Sequence, residues 1–394
     1  MPVEPVFFRE GKTLFQSYPP ENADKGFVPT NLRVFYNPNM LSNRDLSIMV
    51  CAALRRKLGR PISVLEPLSG CGVRGVRLGN ELKDYFQSIL LNDINPAAYS
   101  LIQTNIQINR LRSIAYAFND DANFIMRLFS RRDWRIDYID IDPFGSPAPY
   151  VNSAISASKI GSSIIAFTAT DMSVLCGLYP AKAFSKYGGV SLRTDYSHET
   201  ALRMLIYNIS LLAGGCELSV KPLISYYADH YVRVYLSIVK ESLDTKSKTG
   251  YIEHCLKCLY RSLTPVIENV NRNCPLCGAR LVYSGPVWAG QICDEEFVKN
   301  VLTMEGLNYL PSFNRIRNIL ATLIIENNMP PYHYDVHVLC DLMQVKIPKL
   351  NVLLKNLSDT GYKATVTHFT KIGIKTDAPI NIIKKFLSSS PPES

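Results

Sequence analysis

The chain has 394 residues, 47% hydrophobic and 20% charged, a balance that excludes a disordered or membrane-embedded protein and allows two domains with a core each. Its net charge of +9 favours a polyanionic partner without naming one. No apolar run reaches the roughly 18 residues of a membrane span, and Met1-Pro2-Val3-Glu4-Pro5 lacks the basic-then-apolar signature of a secretory signal, so an intracellular, cytoplasmic protein with reduced or metal-bound cysteines is expected.

Residues 1–40, rich in aromatics and broken by Pro5, Pro19, Pro20, Pro29 and Pro38, should cover the next domain as loops and short strands. Phe35-Tyr36-Asn37-Pro38 then leads into helical spacing from Leu46 to Leu58, which Ser42 or Asn43 can cap. Arg44 falls near the first turn, where the macrodipole disfavours a cation; it reads either as holding a carboxylate or as a solvated surface residue. Next, Ile62 to Glu66 forms a short apolar strand, followed by Gly70-Cys71-Gly72-Val73-Arg74-Gly75 and a helix. Glycines at 70 and 72 let the backbone approach a ligand, and the helix start offers it free N–H groups. Ile89 to Asn92 is a second strand, ending at Asp93, where ribose hydroxyls would be held. A third runs from Tyr116 to Asp120-Asp121-Ala122-Asn123, with a carboxylate placed to accept from an adenine amino group or simply to cap a helix.

The fourth strand carries Asp137, Asp140 and Asp142, then breaks at Pro143-Phe144-Gly145 because Pro143 has no N–H for a central strand. An acid, a rigid turn and a ring thus meet at a strand's carboxyl end, where open α/β sheets bind ligands. The ring suits the face of a flat substrate while Asp142 and the Pro143 carbonyl accept its amino hydrogens. The plain alternative is a capped turn with a core phenylalanine. Ser163 to Asp171 gives a fifth strand, His198 to Ala213 an amphipathic helix on which His198 and Glu199 read as capping or surface residues, and Glu217 to Val239 a hairpin. A nicotinamide cofactor would also suit the glycine motif but leaves Asp-Pro-Phe-Gly unexplained.

The polar stretch Lys240 to Gly250 marks a domain boundary. Cys255 and Cys258, fifteen residues, then Cys274 and Cys277 form two Cys-x-x-Cys knuckles whose four thiolates can close a structural tetrahedral zinc site. Cys51, Cys71, Cys176, Cys216, Cys293 and Cys340 read as small core residues. Helices fill roughly 294–327, and two short helices with a hairpin after Pro330 form a winged-helix-like unit. From Asp341 to Lys385 eight lysines face three aspartates, and with Tyr362, His368 and Phe369 among them they suit a phosphate backbone and stacking, or a solvated basic face. The final Ser388 to Ser394 reads as disordered.

Glu66 ahead of the glycines and Asp-Pro-Phe-Gly after the fourth strand resemble class I S-adenosylmethionine-dependent methyltransferases that act on exocyclic amines. Phe35-Tyr-Asn-Pro, Asn43-Arg44-Asp45, Ser69-Gly-Cys-Gly-Val-Arg74-Gly, Leu91-Asn-Asp93-Ile, Asp121-Ala-Asn, Asp140-x-Asp-Pro-Phe-Gly-Ser-Pro, Asp229-His-Tyr-x-Arg-Val, the four cysteines and Thr367-His-Phe with Gly373-Ile-Lys-Thr-Asp377 narrow this. Together they resemble the tRNA (guanine-26, N2)-dimethyltransferases in compact archaeal form. The resemblance implies an α/β protein, a Rossmann-like class I methyltransferase domain over 1–240 followed by a smaller α+β domain over 241–394 that holds zinc and binds tRNA. It further implies S-adenosylmethionine bound by Arg44, Arg74, Asp93, Asp121 and Ala122 with the Gly70–Gly72 loop, and transfer assisted by Asp142, Pro143 and Phe144. The expected product is N2-methyl- and N2,N2-dimethylguanosine at position 26 of tRNA, made by a monomer.

Overall fold

The computed structural model describes residues 4–19, 33–131, 134–240, 248–265 and 272–389. Pro20, Pro29, the stretch 241–247 of the polar boundary and the chain from residue 390 on lie outside these residues.

The amino-terminal segment forms a hairpin of β1 (Val6–Glu10) and β2 (Thr13–Ser17), paired from Val6 opposite Ser17 to Glu10 opposite Thr13. A 3-10 turn at Pro38–Met40 feeds α1 (Leu41–Leu58) directly. The Asn37 side chain accepts the Asn39 N–H, so the capping position is Asn37 rather than Ser42 or Asn43, both of which are buried within the helix. The 3-10 turn already pairs the Leu41 N–H with the Pro38 carbonyl, which removes the need for a later cap.

Strands and helices then alternate: β3 (Ile62–Glu66), α2 (Val73–Glu81), β4 (Phe86–Asn92), α3 (Pro96–Ile108), β5 (Ala115–Phe118), α4 (Ala122–Leu128), β6 (Tyr138–Ile141), α5 (Val151–Ala157) and β7 (Ile164–Ala169). Every residue of β3, β6 and β7 is buried, as parallel strands covered on both faces require. Helices α6 (Met172–Leu175), α7 (Pro180–Tyr187) and α8 (Ser197–Gly214) lead to the hairpin β8 (Ser219–Ala228) and β9 (Tyr231–Val239). The seven strands lie in the order β5-β4-β3-β6-β7-β9-β8, parallel through β7 and antiparallel in the closing hairpin. This is the class I methyltransferase arrangement, and its topological switch point falls between β3 and β6.

Past the sheet, β10 (Thr249–His254), β11 (Arg261–Pro265) and β12 (Val282–Trp288) form a three-stranded antiparallel sheet with β10 at its centre. Helices α9 (Glu295–Leu302) and α10 (Phe313–Glu326) pack back on α1, so that Phe297, Val301, Leu320 and Leu323 belong to the same core as the large sheet. The last unit has β13 (Tyr334–Asp335), α11 (Val336–Met343), α12 (Leu350–Asp359), β14 (Ala364–Val366), β15 (Gly373–Thr376) and α13 (Ile380–Ser389). Its strands order β13-β15-β14, and Leu339, Leu353, Leu357, Ile374 and Ile383 make its own small core.

The wing keeps Lys363 and Lys371 exposed but turns part of its expected basic and aromatic face inward. Lys375 is 1% exposed, with Nζ 2.9 Å from Glu199 Oε1 on α8 and 3.7 Å from Glu326 Oε2 on α10. His368 pairs with Glu326 and accepts the Tyr227 N–H at 3.2 Å, while Phe369 lies buried against both His368 and His333. Glu199 is likewise fully buried rather than at the surface, bonded to Arg203 as well as Lys375, and His198 stacks on Tyr227. Two buried carboxylates demand cations, and all four residues of β15 are turned inward to supply one. Of the unpaired cysteines, Cys51, Cys71, Cys293 and Cys340 are buried as expected, but Cys176 is half-buried and Cys216 is exposed just beyond α8.

Candidate functional site

The carboxyl ends of β3, β4 and β6 open into one crevice. Its deep end is lined by Asn37, Arg44, Glu66, Ser69, Arg74 and Asp142, and its outer cleft of about 310 Å³ by Arg33, Asp93, Asn95, Pro143, Phe144 and Tyr150. Phe35, Leu68, Gly70 and Asp142 border both parts. Gly70 has φ +56° and a Cβ there would stand 2.8 Å from the Phe35 carbonyl oxygen, so the chain's own amino-terminal segment uses the close approach that this glycine permits. Gly75 serves packing instead, since a Cβ would meet Leu91 Cδ2 at 2.4 Å. Asp93 anchors the loop: Oδ2 accepts the Gly70 N–H at 2.8 Å and Oδ1 the Asn95 N–H at 3.0 Å. Burial pushes its carboxyl above the ordinary range, against those two N–H groups.

Beneath the crevice lies a lattice of carboxylates and guanidiniums. Asp140 is buried and takes a two-pronged contact from Arg233 on β9, a 2.6 Å bond from the Tyr138 hydroxyl and a 3.5 Å contact from Arg74. Burial opposes its ionisation, but Arg233 and Arg74 hold its carboxyl below the usual range. Arg74 is fixed by Asn43 and Ser47, each 2.7 Å from Nη1, and its Nη2 grips Asp142. Asp140 also borders the deep end but is saturated by its interior partners, while Asp142, two residues on, faces the crevice with its side chain 19% exposed. Glu66 completes the floor. Its Oε1 has no hydrogen-bond partner, Arg74 approaches only to 4.0 Å, and burial pushes the carboxyl up to about 8 despite Arg74.

Phe144 is 55% exposed, and its ring meets Phe35 edge-on with centroids 4.2 Å apart and planes at 73°. Gly145 fixes the turn through its N–H to Thr170 Oγ1 and its carbonyl to the Thr170 N–H, both at 2.9 Å. Arg44 does hold a carboxylate, namely the chain's own Glu10, which also takes the Tyr36 hydroxyl at 2.9 Å and Arg77 at 3.1 Å. Asp121 caps α4 by accepting the Phe124 N–H at 3.0 Å, and Ala122 is buried behind it; neither is among the residues that border the crevice. Asp121 still acts on that border, because its charge, after burial, raises the Tyr150 hydroxyl above its ordinary range. Phe35, Tyr150 and Arg233 carry no role in the sequence reading; Phe35 and Arg233 lie within motifs singled out there, and Tyr150 gives no local signal.

At the other end of the molecule Cys255, Cys258, Cys274 and Cys277 place one Sγ each within 4.8 Å of all the others, with 3.5 Å separations for Cys255–Cys277 and Cys258–Cys274. Tetrahedral zinc at its usual Zn–S distance separates sulfurs by about 3.8 Å, so the four fit a closed zinc site with no open position.

The family described as N2,N2-dimethylguanosine tRNA methyltransferase matches residues 16–388. A protein of Methanobrevibacter smithii named tRNA (guanine(26)-N(2))-dimethyltransferase is 35% identical over 370 residues, covering 92% of this chain and 94% of its own. One of the same name from Saccharolobus islandicus is 36% identical over 376 residues, covering 93% and 94%. The solved complex of Trm1 from Pyrococcus horikoshii with S-adenosyl-L-methionine superposes with a TM-score of 0.82 at 29% identity, over 96% of this chain and 99% of that one. With the seven-stranded sheet, the acid-lined crevice and the four cysteines in place, the chain belongs to the N2,N2-dimethylguanosine tRNA methyltransferase family.

Proposed function

We propose that this chain transfers methyl groups from S-adenosylmethionine to the exocyclic N2 of guanosine 26 in tRNA, giving N2-methyl- and N2,N2-dimethylguanosine. The observation that carries the reading is the Asp142-Pro143-Phe144 turn, which sets an Arg74-oriented carboxylate and a solvent-open ring at the mouth of the crevice.

The crevice fits the cofactor on the chemistry of its donors. Asp93 suits the ribose diol, Glu66 offers an unpartnered buried oxygen to a cationic group, and Gly70 with Val73 and Arg74 at the start of α2 lines the space between, while Gly72 packs on Ile102 and Leu91 behind it. Arg44 and Arg74 border the deep end, and the reading assigns Asp121 and Ala122, at the start of α4, to the adenine. When bound, the sulfonium supplies an activated methyl group. Guanine N2 is a poor nucleophile because its lone pair is delocalised into the ring, so the chain's contribution is positioning and electrostatics. Phe144 stacks on the guanine once it has left the helix. Asp142 and the Pro143 carbonyl accept the two amino hydrogens, turn the lone pair toward the methyl group and stabilise positive charge as it grows on nitrogen. Arg74 holds the Asp142 carboxylate in place, and Asp142 takes up the released proton.

The same reading assigns residues 1–240 to methyl transfer and 241–394 to tRNA binding, with zinc held by Cys255, Cys258, Cys274 and Cys277 to fix the fold there, in a cytoplasmic monomer. No helix among the described residues is long and apolar enough to cross a membrane. The deciding experiment is methylation of a transcribed tRNA carrying guanosine or adenosine at position 26, followed by mass analysis of nucleosides. Dimethylguanosine from the first and no product from the second is expected; equal methylation of both would refute the site assignment.

A further inference from the structure

Beside the crevice the chain displays a second group of apolar side chains that the reaction does not use. Leu178, Tyr179 and Phe184 are exposed, Phe184 at 63%, more than Phe144 itself. Helix α7 does have an inner face, made by the buried Ala183 and Tyr187, so the outward set is not the by-product of an unpacked helix. The ridge is tied to the Asp-Pro-Phe-Gly turn. Tyr187 donates its hydroxyl to Asp171 Oδ1 at 2.6 Å and Lys186 contacts Oδ2 at 3.2 Å, while the adjoining Thr170 is the residue that locks Gly145 from both sides. The turn at Gly177 packs directly on the Leu192–Arg193 backbone, which brings exposed Arg193 to the base of the ridge.

Its charge is one-sided. Between Met172 and Thr194 the chain carries Lys182, Lys186 and Arg193 and no carboxylate. Lys182 Nζ lies 5.0 Å from the centroid of the Tyr179 ring. With the ammonium over one face of this exposed ring, the other face can take an unstacked base while the ammonium takes the adjoining phosphate. Lys186 is answered by Asp171, just outside this stretch, so the outward charge of the ridge is that of the exposed Lys182 and Arg193.

We propose that the Leu178–Lys186 ridge is a tRNA-docking surface that stacks on the nucleotides flanking the extruded guanosine, with Lys182 and Arg193 on their phosphates. The proposal rests on the activity proposed above and adds where the RNA is gripped. Extrusion leaves a gap in the base stack, and Tyr179 and Phe184 supply apolar surface to fill it at a fixed offset from Phe144.

The test uses the full chain, transcribed tRNA and a second transcript with 2-aminopurine in place of the target guanosine, whose fluorescence rises on unstacking. The double variant Tyr179→Ala/Phe184→Ala should bind tRNA at least about tenfold more weakly and lose the 2-aminopurine rise, with parental S-adenosylmethionine affinity. Tyr179→Phe, which keeps the stacking face, should bind like the parent. Lys182→Ala should lower the log–log salt slope of tRNA binding by about one. Parental tRNA affinity together with a parental fluorescence rise in the double variant would overturn the ridge while leaving the activity untouched. Failure of the parent to methylate the guanosine-26 transcript sinks the activity instead, so the two failures are separable.

Discussion

Lys375 gives the sharpest contrast between a surface and an interior role. Replacing it with Met removes a cation shared between Glu199 at 2.9 Å and Glu326 at 3.7 Å, in a place where all three side chains are at most 1% exposed. Breaking a buried pair from one side costs about 3–5 kcal/mol, because the remaining charge is left uncompensated. Glu199 keeps Arg203 and Glu326 keeps His368, so the lower end applies, about 3 kcal/mol. At a urea slope of roughly 3 kcal/mol/M the unfolding midpoint, followed by circular dichroism, should drop by about 1 M. The pH dependence has a definite sign. Burial opposes ionisation of Glu199, but Lys375 and Arg203 hold its carboxyl well below the usual range, and Glu326 is lowered by His368 and Lys375. Both therefore contribute stability that is present above the ordinary glutamate range and is lost as pH falls toward their depressed values. In Lys375→Met the depression shrinks, so the midpoint should fall less steeply on acidification than in the parent. The salt dependence of tRNA binding should be unaltered, since Nζ does not reach the surface. An unchanged urea midpoint together with a flatter salt slope would return Lys375 to a phosphate contact and refute the buried assignment.

Asp142→Ala should bind S-adenosylmethionine and tRNA about as well as the parent yet lose roughly 10²–10³-fold in kcat, with Asn intermediate, because the interaction strengthens only as charge develops. Asp140→Ala, by contrast, strands Arg233 in the interior and should reduce thermal stability as well as rate; an Asp142→Ala enzyme of parental kcat would mean that the wrong carboxylate was chosen. Asp93→Ala removes the acceptor for the Gly70 and Asn95 N–H groups and should weaken cofactor binding, measured by calorimetry, with tRNA affinity nearly unchanged. Cys255→Ser should release zinc, measured by metal analysis, and loosen the unit around β10–β12 while leaving cofactor affinity intact.

What the sequence shows well is what local pattern dictates. Apolar runs ending in Glu66, Asp93 and Asp142 mark buried parallel strands because their ends face a crevice, and two Cys-x-x-Cys turns at fixed separation mark a closed metal site because each turn aims two thiolates at one point. What it hides depends on partners far along the chain. Asp140 and Asp142 lie two residues apart, and it is mainly Arg233, on β9, together with the Tyr138 hydroxyl, that makes the first a saturated interior acid while the second meets the crevice more openly. The same cause misleads at the wing: Lys375, His368 and Phe369 look like a nucleic-acid surface in a local window of eight lysines and three aspartates. Their answering groups, Glu199 and Glu326, lie on α8 and α10, and no count within that window includes them.

The charge of the crevice floor bears on which molecule it accepts. Glu66, Asp140 and Asp142 face Arg74 and Arg233, three carboxylates against two guanidiniums, and the unmatched acid is Glu66, with an orphaned Oε1. Burial, Asp140 and Asp142 raise its carboxyl to about 8, with only Arg74 and Arg233 pulling the other way. A carboxyl raised this way holds its proton more readily than an ordinary glutamate, and a bound cation should lower its pKa and drive the proton off. S-adenosylmethionine carries a net positive charge that its demethylated product lacks, so the floor should discriminate substrate from product by this charge. Calorimetry at pH 7 in buffers of different ionisation enthalpy should show proton release on binding S-adenosylmethionine, smaller for the product, and affinity for the substrate should rise with pH until Glu66 is ionised in the free protein. Glu66→Gln should abolish the proton release and narrow the gap between substrate and product. Buffer-independent heats and an affinity flat across this range would show that Glu66 keeps its protonation state on binding, and the third carboxylate would then have no part in cofactor selection.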